Sequence, residues 1–336
     1  MLIFPSVKRW LVGLLTVVVA IALYGCNPND FKSQAAQVTQ LVDTIVGEPK
    51  TFNYALSSES PNVFPLIYEG LITENGVTAE IEPALAESWQ ISEDKKQIVF
   101  TLRQGLKWSD GEPLTADDVV FSFNDIYLNP DIPTGTRDGL QIGESKALPK
   151  VRKISDRQVE FTVPEPFAPL LRSAGGTPIL PKHILAKTIT TKDKQGKPQF
   201  FSTWGTDTDP KKIVTNGAYT LESYNPSQRL VFRKNPNYWR KDKQGNSQPY
   251  IEKVIWQIVE STDTSLLQFR SGGLDIVGAS PLSFSLLKKE EKRGKFTIYN
   301  GGAAYGQSFI SFNLNKGKRN GKPLIDPIKS RWFNTV

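Results

Sequence analysis

Cysteine, histidine and methionine are almost missing from this chain of 336 residues, which holds one of each. A single Cys excludes an intrachain disulfide. With only one His it also excludes a Cys/His zinc cage and any site built on two histidines. There is no Gly-x-Ser-x-Gly nucleophile elbow, no Walker phosphate loop, and no Lys-Thr-Gly or Ser-Asp-Asn triplet, which removes several hydrolase and nucleotide-binding classes. Charged residues make up 22% and apolar residues 39%, arguing against both a wholly disordered chain and a polytopic membrane protein. The length suggests about two domains. Of the formal +7, residues 288–336 carry eleven basic and three acidic side chains, or +8, so the rest sums to −1. A nucleic-acid face would spread its cations along one surface with interleaved aromatics, so nucleic acid is not an expected partner.

What is present begins with an export signal. Lys8 and Arg9 precede an apolar run from Trp10 to Tyr24, then Gly25 and Cys26. The run falls short of the roughly 20 residues needed to span a bilayer. Leu23-Tyr24-Gly25-Cys26 resembles a bacterial lipobox, with Tyr24 departing from the usual small residue. This implies a leader over 1–25 and lipidation of Cys26. The other reading is an uncleaved anchor with an incidental cysteine. Either places the body outside the cytoplasm, on a polar tether over 26–39.

In the body, Gln40–Val46 reads as a buried strand stopped by Gly47 and Pro49, and Asn53–Pro61 as a polar loop. Val63, Leu66, Ile67 and Leu71 predict a helix over 62–71 with Pro65 in its first turn. Ser88–Ser92 and Gln97–Arg103 form a hairpin, with Ile98, Phe100 and Leu102 alternating. Thr115 and Asp118 have capping spacing ahead of a helix that buries Val119, Val120, Phe123 and Ile126, so Asp117 and Asp118 read as caps rather than a catalytic pair. Further strands are expected at 158–163, 217–221, 229–233, 254–259 and 274–277, and helices at 181–186 and 266–270. His183, beside Lys182, reads as a surface or packing residue. Trp89, Trp108 and Trp239 read as core-closing rings.

Four blocks together carry a resemblance. They are Glu48-Pro-Lys-Thr-Phe-Asn53 with Tyr68-Glu-Gly-Leu71; Pro83–Trp89 through Phe100–Gly105, Trp108-Ser-Asp-Gly111 and Leu114–Val119; Asn216-Gly-Ala-Tyr219 through Arg233–Trp239; and Gln268–Ile276. In order and spacing the chain resembles the family 5 extracellular solute-binding proteins, the oligopeptide- and dipeptide-binding components of ABC importers, over residues 40–315. The resemblance implies an α/β, periplasmic-binding-protein-like fold of type II. Its first lobe would be discontinuous (40–61 plus 200–305) around an inserted subdomain (62–199), with the start of a second lobe at 306–336. Family members are longer, so an N-terminal fragment lacking most of the second lobe is expected.

The resemblance implies no enzyme activity and no cofactor. It implies a lipid-anchored receptor that takes peptides or similar small solutes outside the membrane and hands them to ABC permease subunits. First-lobe ligand contacts fall by resemblance on Leu56, Ser57, Ser58 and Glu59, and hinge contacts on Tyr305, Gly306 and Ser308. Two other readings stand beside it: a truncated remnant that no longer transports, and a serine hydrolase suggested by Ser-x-x-Lys at Ser92 and Ser285.

Overall fold

The computed structural model describes residues 38–57, 62–301, 318–319 and 322–323. Strand β1 (Gln40–Val46) is followed by a 3-10 turn at Tyr54–Leu56, another at Phe64–Leu66, and a short hairpin of β2 (Ile72–Glu74) and β3 (Ile81–Pro83). Next come β4 (Ala86–Ile91), β5 (Gln97–Leu102), helix α1 (Ala116–Phe121), which continues as a π turn over Ser122–Tyr127, and α2 (Thr136–Gly139). Strands β6 (Lys150–Ser155) and β7 (Gln158–Thr162) precede helices α3 (Leu170–Gly175) and α4 (Lys182–Thr190). Strands β8 (Tyr219–Asn225), β9 (Arg229–Lys234) and β10 (Lys253–Val259) lead to α5 (Thr262–Arg270) and α6 (Pro281–Gly294).

The chain divides into one unit of residues 1–75 with 80–298 and a second of 76–79 with 299–336. In the second, β11 (Lys318–Arg319) pairs antiparallel with β12 (Lys322–Pro323).

The first unit holds two four-stranded sheets. One has the order β1-β10-β9-β8, with β1 parallel to β10 and the other pairs antiparallel. The other, β4-β5-β7-β6, is wholly antiparallel and comes entirely from residues 86–162. Alternation along β5 buries Ile98, Phe100 and Leu102. Their face packs on the π turn through edge-on rings, Phe100–Phe161 at 5.6 Å and Phe123–Phe161 at 4.8 Å, the arrangement favoured by aromatic quadrupoles. Thr115 and Asp118 form the expected capping box.

Three expectations need correction. Residues 62–71 form no helix beyond Phe64–Leu66; Pro65 fits the first turn as expected, but the following backbone groups are used elsewhere. Ile67 O accepts from Gly217 N, Glu69 N donates to Asn216, and Leu71 O accepts from Ala84 N and Ala86 N. Residues 274–277 form no strand; Asp275 makes a single two-point contact with β1, its N–H to Val42 O at 2.9 Å and its Oδ2 to Val42 N at 2.6 Å. In β1 itself only Ile45 is buried, because the strand lies at the sheet edge. Strand β6 went unrecognised because Lys150, Arg152 and Lys153 hide a pattern in which only Val151 is buried.

Candidate functional site

The segment expected to meet ligand is fastened from beneath. Asn53 is wholly buried; its Oδ1 accepts from Ala55 N at 3.2 Å and its Nδ2 donates to Phe200 O and Thr203 O at 3.2 and 3.3 Å. Phe52 N donates to Trp204 O at 2.8 Å. These bonds tie the 3-10 turn Tyr54–Leu56 to residues 200–204 and leave Leu56 and the extended Ser57 half-buried. Ser58, Glu59, Tyr305, Gly306, Ser308 and Cys26 lie outside the described residues.

Tyr54 also walls a cavity of about 440 Å³, together with Phe64, Tyr68, Glu69 and Arg172. Tyr54 meets Phe64 edge-on at 5.2 Å, and Phe64 stacks on Tyr68 at 6.3 Å. The Tyr68 hydroxyl donates to Val214 O at 2.9 Å, and burial pushes its pKa well up. An ion pair between Arg172 and Glu74 stands at the rim. The wall is thus mixed, with aromatic rings beside carboxylate, guanidinium and hydroxyl groups, a form suited to a small polar solute or a side chain.

The back of this cavity is a junction that the sequence motifs build and that residue-by-residue reading missed. Glu69 accepts from the Tyr238 hydroxyl and, at 2.7 Å, from Trp239 Nε1. Arg103 lies 4.1 Å and Arg240 5.1 Å from the Trp239 ring centre. Burial raises the Glu69 carboxyl pKa, while the two hydrogen bonds and both arginines pull it back. Tyr238, buried against that carboxylate, is pushed far above the ordinary tyrosine value.

The backbone meets here as well. Asn216 accepts from Glu69 N at 2.8 Å and donates to Glu69 O at 3.3 Å; Asn235 Nδ2 donates to Gly217 O and Asn237 Nδ2 to Ser109 O. Glycine is required at two points of closest approach: a Cβ on Gly70 would sit 2.5 Å from Gly175 O, and one on Gly217 2.5 Å from the Ile67 carbonyl carbon. Trp239, expected to pack, is therefore also a donor, and Trp108 is the fully buried ring of the three. The signal available in the sequence was that Tyr-Glu-Gly, Asn-Gly-Ala and Asn-Pro-Asn-Tyr-Trp pair polar residues with glycine or large rings.

Other candidates are structural. His183 Nε2 meets Asp110 Oδ2 at 2.8 Å. Asp118 accepts from Thr115 N at 2.9 Å and Lys182 N at 3.0 Å, capping α1 and the start of α4 together. Asp117 pairs with Lys153 at 2.6 Å. Ser92 donates to Asp94 at 2.6 Å and accepts from Gln97 N at 3.0 Å, so it closes the β4–β5 turn; Ser285 is exposed on α6. The Ser92 hydroxyl is turned to the Asp94 carboxylate and Gln97 O, and among the contacts of the described residues neither Ser-x-x-Lys brings its lysine amine to its serine. No cluster of three potential metal ligands exists among the described residues.

Residues 80–331 match the profile of the bacterial extracellular solute-binding proteins, family 5 Middle. The chain belongs to this family. A probable ABC transporter-binding protein of Deinococcus radiodurans is 30% identical over 290 residues, 84% of this chain and 48% of the relative. The periplasmic oligopeptide-binding protein OppA of Escherichia coli is 30% identical over 68% of this chain and 41% of its own length.

Among solved structures, the periplasmic binding protein MelB of Agrobacterium fabrum, in complex with stachyose, aligns at TM-score 0.64 and 27% identity over 75% of this chain and 39% of that one. Haemophilus influenzae OppA in complex with the peptide RPPGFSPFR aligns at TM-score 0.60 and 25% identity, over 76% and 49%. The fold is therefore the family 5 periplasmic-binding-protein fold, and the relatives are binding proteins rather than enzymes. The chain spans about half the length of the curated relatives it matches.

Proposed function

We propose that this chain is the solute-receiving part of an ABC importer, taking peptides or related small solutes outside the cytoplasmic membrane and passing them to permease subunits. The observation that carries the reading is the Asn53-anchored turn, which offers Leu56 and Ser57 beside the aromatic cavity at Tyr54. The Leu56 and Ser57 amides are taken within the turn, donating to Asn53 O and Tyr54 O at 3.1 and 3.2 Å, so the turn offers a peptide its carbonyl groups and side chains. Main-chain bonds made through those carbonyls would leave affinity little dependent on the peptide's side chains. Ser58, Glu59, Tyr305, Gly306 and Ser308 complete the proposed contact set, and lipidated Cys26 keeps the receptor at the membrane. The β1–β10 pairing supports a first lobe made of 40–61 and 200–305, and the local origin of the second sheet supports an insert over 62–199. Residues 306–336 open a second lobe whose closure over the ligand would shift the receptor to its bound state.

A second reading, that the chain binds solute without transport, keeps the binding-protein fold and drops the hand-over to a permease. The two separate in one experiment. Tri- to pentapeptides titrated into the chain are expected to perturb the Leu56 and Ser57 amides, and Tyr54→Ala to weaken binding by about tenfold, roughly 1.4 kcal/mol. Peptide uptake by cells carrying the gene then distinguishes transport from binding alone. Absence of any perturbation by peptides at millimolar concentration would remove the receptor reading.

A further inference from the structure

Helix α6 turns its acids inward and its cations outward. Glu290 bonds Arg270 Nε and Nη2 at 2.8 and 2.7 Å, and Glu291 bonds Lys288 at 2.6 Å and Ile298 N at 2.9 Å. Leu287 is buried beneath them. On the opposite side, Leu282, Leu286, Lys289 and Arg293 follow one another at spacings of four, three and four, one stripe of a helix. Leu282 is 94% exposed and Leu286 38%. The first turn is held by a Ser280–Ser283 capping box with Pro281 at its start, so Leu282 is presented by an ordered turn rather than a frayed end. Lys289 and Lys292 have no ion-pair partner among the described residues. Residues 281–295 hold five cations and two acids; Lys288 pairs with Glu291 and Arg293 with Glu290, at 2.6 and 3.1 Å, which leaves Lys289, Lys292 and the cap residue Lys295 as the excess positive charge.

We propose that this face rests on an anionic lipid bilayer, with Leu282 and Leu286 entering the headgroup region and Lys289 and Lys292 meeting lipid phosphates. Exposed leucines gain nothing from a nucleic-acid backbone, and a second copy set face to face would bring like charges together. A bilayer answers both halves of the stripe, apolar depth for the leucines and fixed negative charge for the cations.

The test is amide hydrogen exchange across residues 276–298 of the full chain, alone, with neutral phosphatidylcholine vesicles, and with vesicles containing about one quarter phosphatidylglycerol. Exchange of the α6 amides is expected to slow by about fivefold or more on the anionic vesicles only, and the effect to vanish at about 0.5 M salt, where screening is short-ranged. The double variant Lys289→Glu/Lys292→Glu and the single variant Leu282→Glu should each abolish it. Because these side chains are exposed, their circular dichroism and urea midpoints should stay at the parent values. Attachment of the chain through another segment would leave α6 exchange unchanged and overturn the proposal. Equal slowing on neutral vesicles, or protection of the stripe without vesicles, would overturn it too.

Discussion

Glu69 shows how one carboxylate can organise several recognisable motifs while also lining the cavity. Both of its oxygens face donors, Tyr238 and Trp239, so Glu69→Gln must turn an amide NH₂ against a donor. Hydrogen bonds to a charged group contribute about 1.5–3 kcal/mol, and the variant is expected to lose about 2–3 kcal/mol in urea denaturation. The pH dependence has a definite sign. Burial raises the Glu69 pKa, so just above the ordinary glutamate value the folded chain retains a proton that the unfolded chain has released. Stability from this group therefore falls as pH rises through that window. The gap between the parent and Glu69→Gln should narrow from acid toward neutral pH. A gap that widens would show that the hydrogen bonds and arginines outweigh desolvation.

At the scale of elements, legibility followed how local the cause was. The β4–β5 hairpin and the α1 cap rest on residues a few positions apart, and both were readable: Ile98, Phe100 and Leu102 alternate, and Thr115 stands three before Asp118. Residues 62–71 have the apolar spacing of a helix, yet their backbone donors and acceptors are claimed by Gly217 and Asn216, nearly 150 positions away. The difference between local and tertiary causes has measurable weight. Thr115→Ala removes one cap and should cost about 1 kcal/mol. Phe100→Ala empties a site between Phe161 and the second sheet's core face and should cost about 3–5 kcal/mol. Comparable losses in the two variants would contradict the view that ring packing dominates this sheet.

Across the whole molecule, the fold was legible because motifs recur in order, whereas the cavity was not, because its wall gathers residues from Tyr54 to Pro178. Leu56 and Ser57 were reached only through the resemblance; composition and spacing gave them no distinction from any polar loop. The outer edge of β1 depends on Asp275, whose backbone and carboxylate occupy Val42. Asp275→Ala removes the acceptor and frees part of an edge that can template another strand. Faster β1 amide exchange and concentration-dependent light scattering are expected, while the β4–β7 sheet keeps its parent exchange rates. Unchanged scattering and exchange would show that Asp275 does not guard the edge.

The pairing of Gln40 with Lys253 also sets a schedule for biogenesis. At ribosomal speeds of about 5–20 residues per second, β1 must wait on the order of ten to forty seconds for its partner to be made. Until then the first sheet cannot close and β1 waits unpaired, while the second sheet, drawn wholly from residues 86–162, can already form.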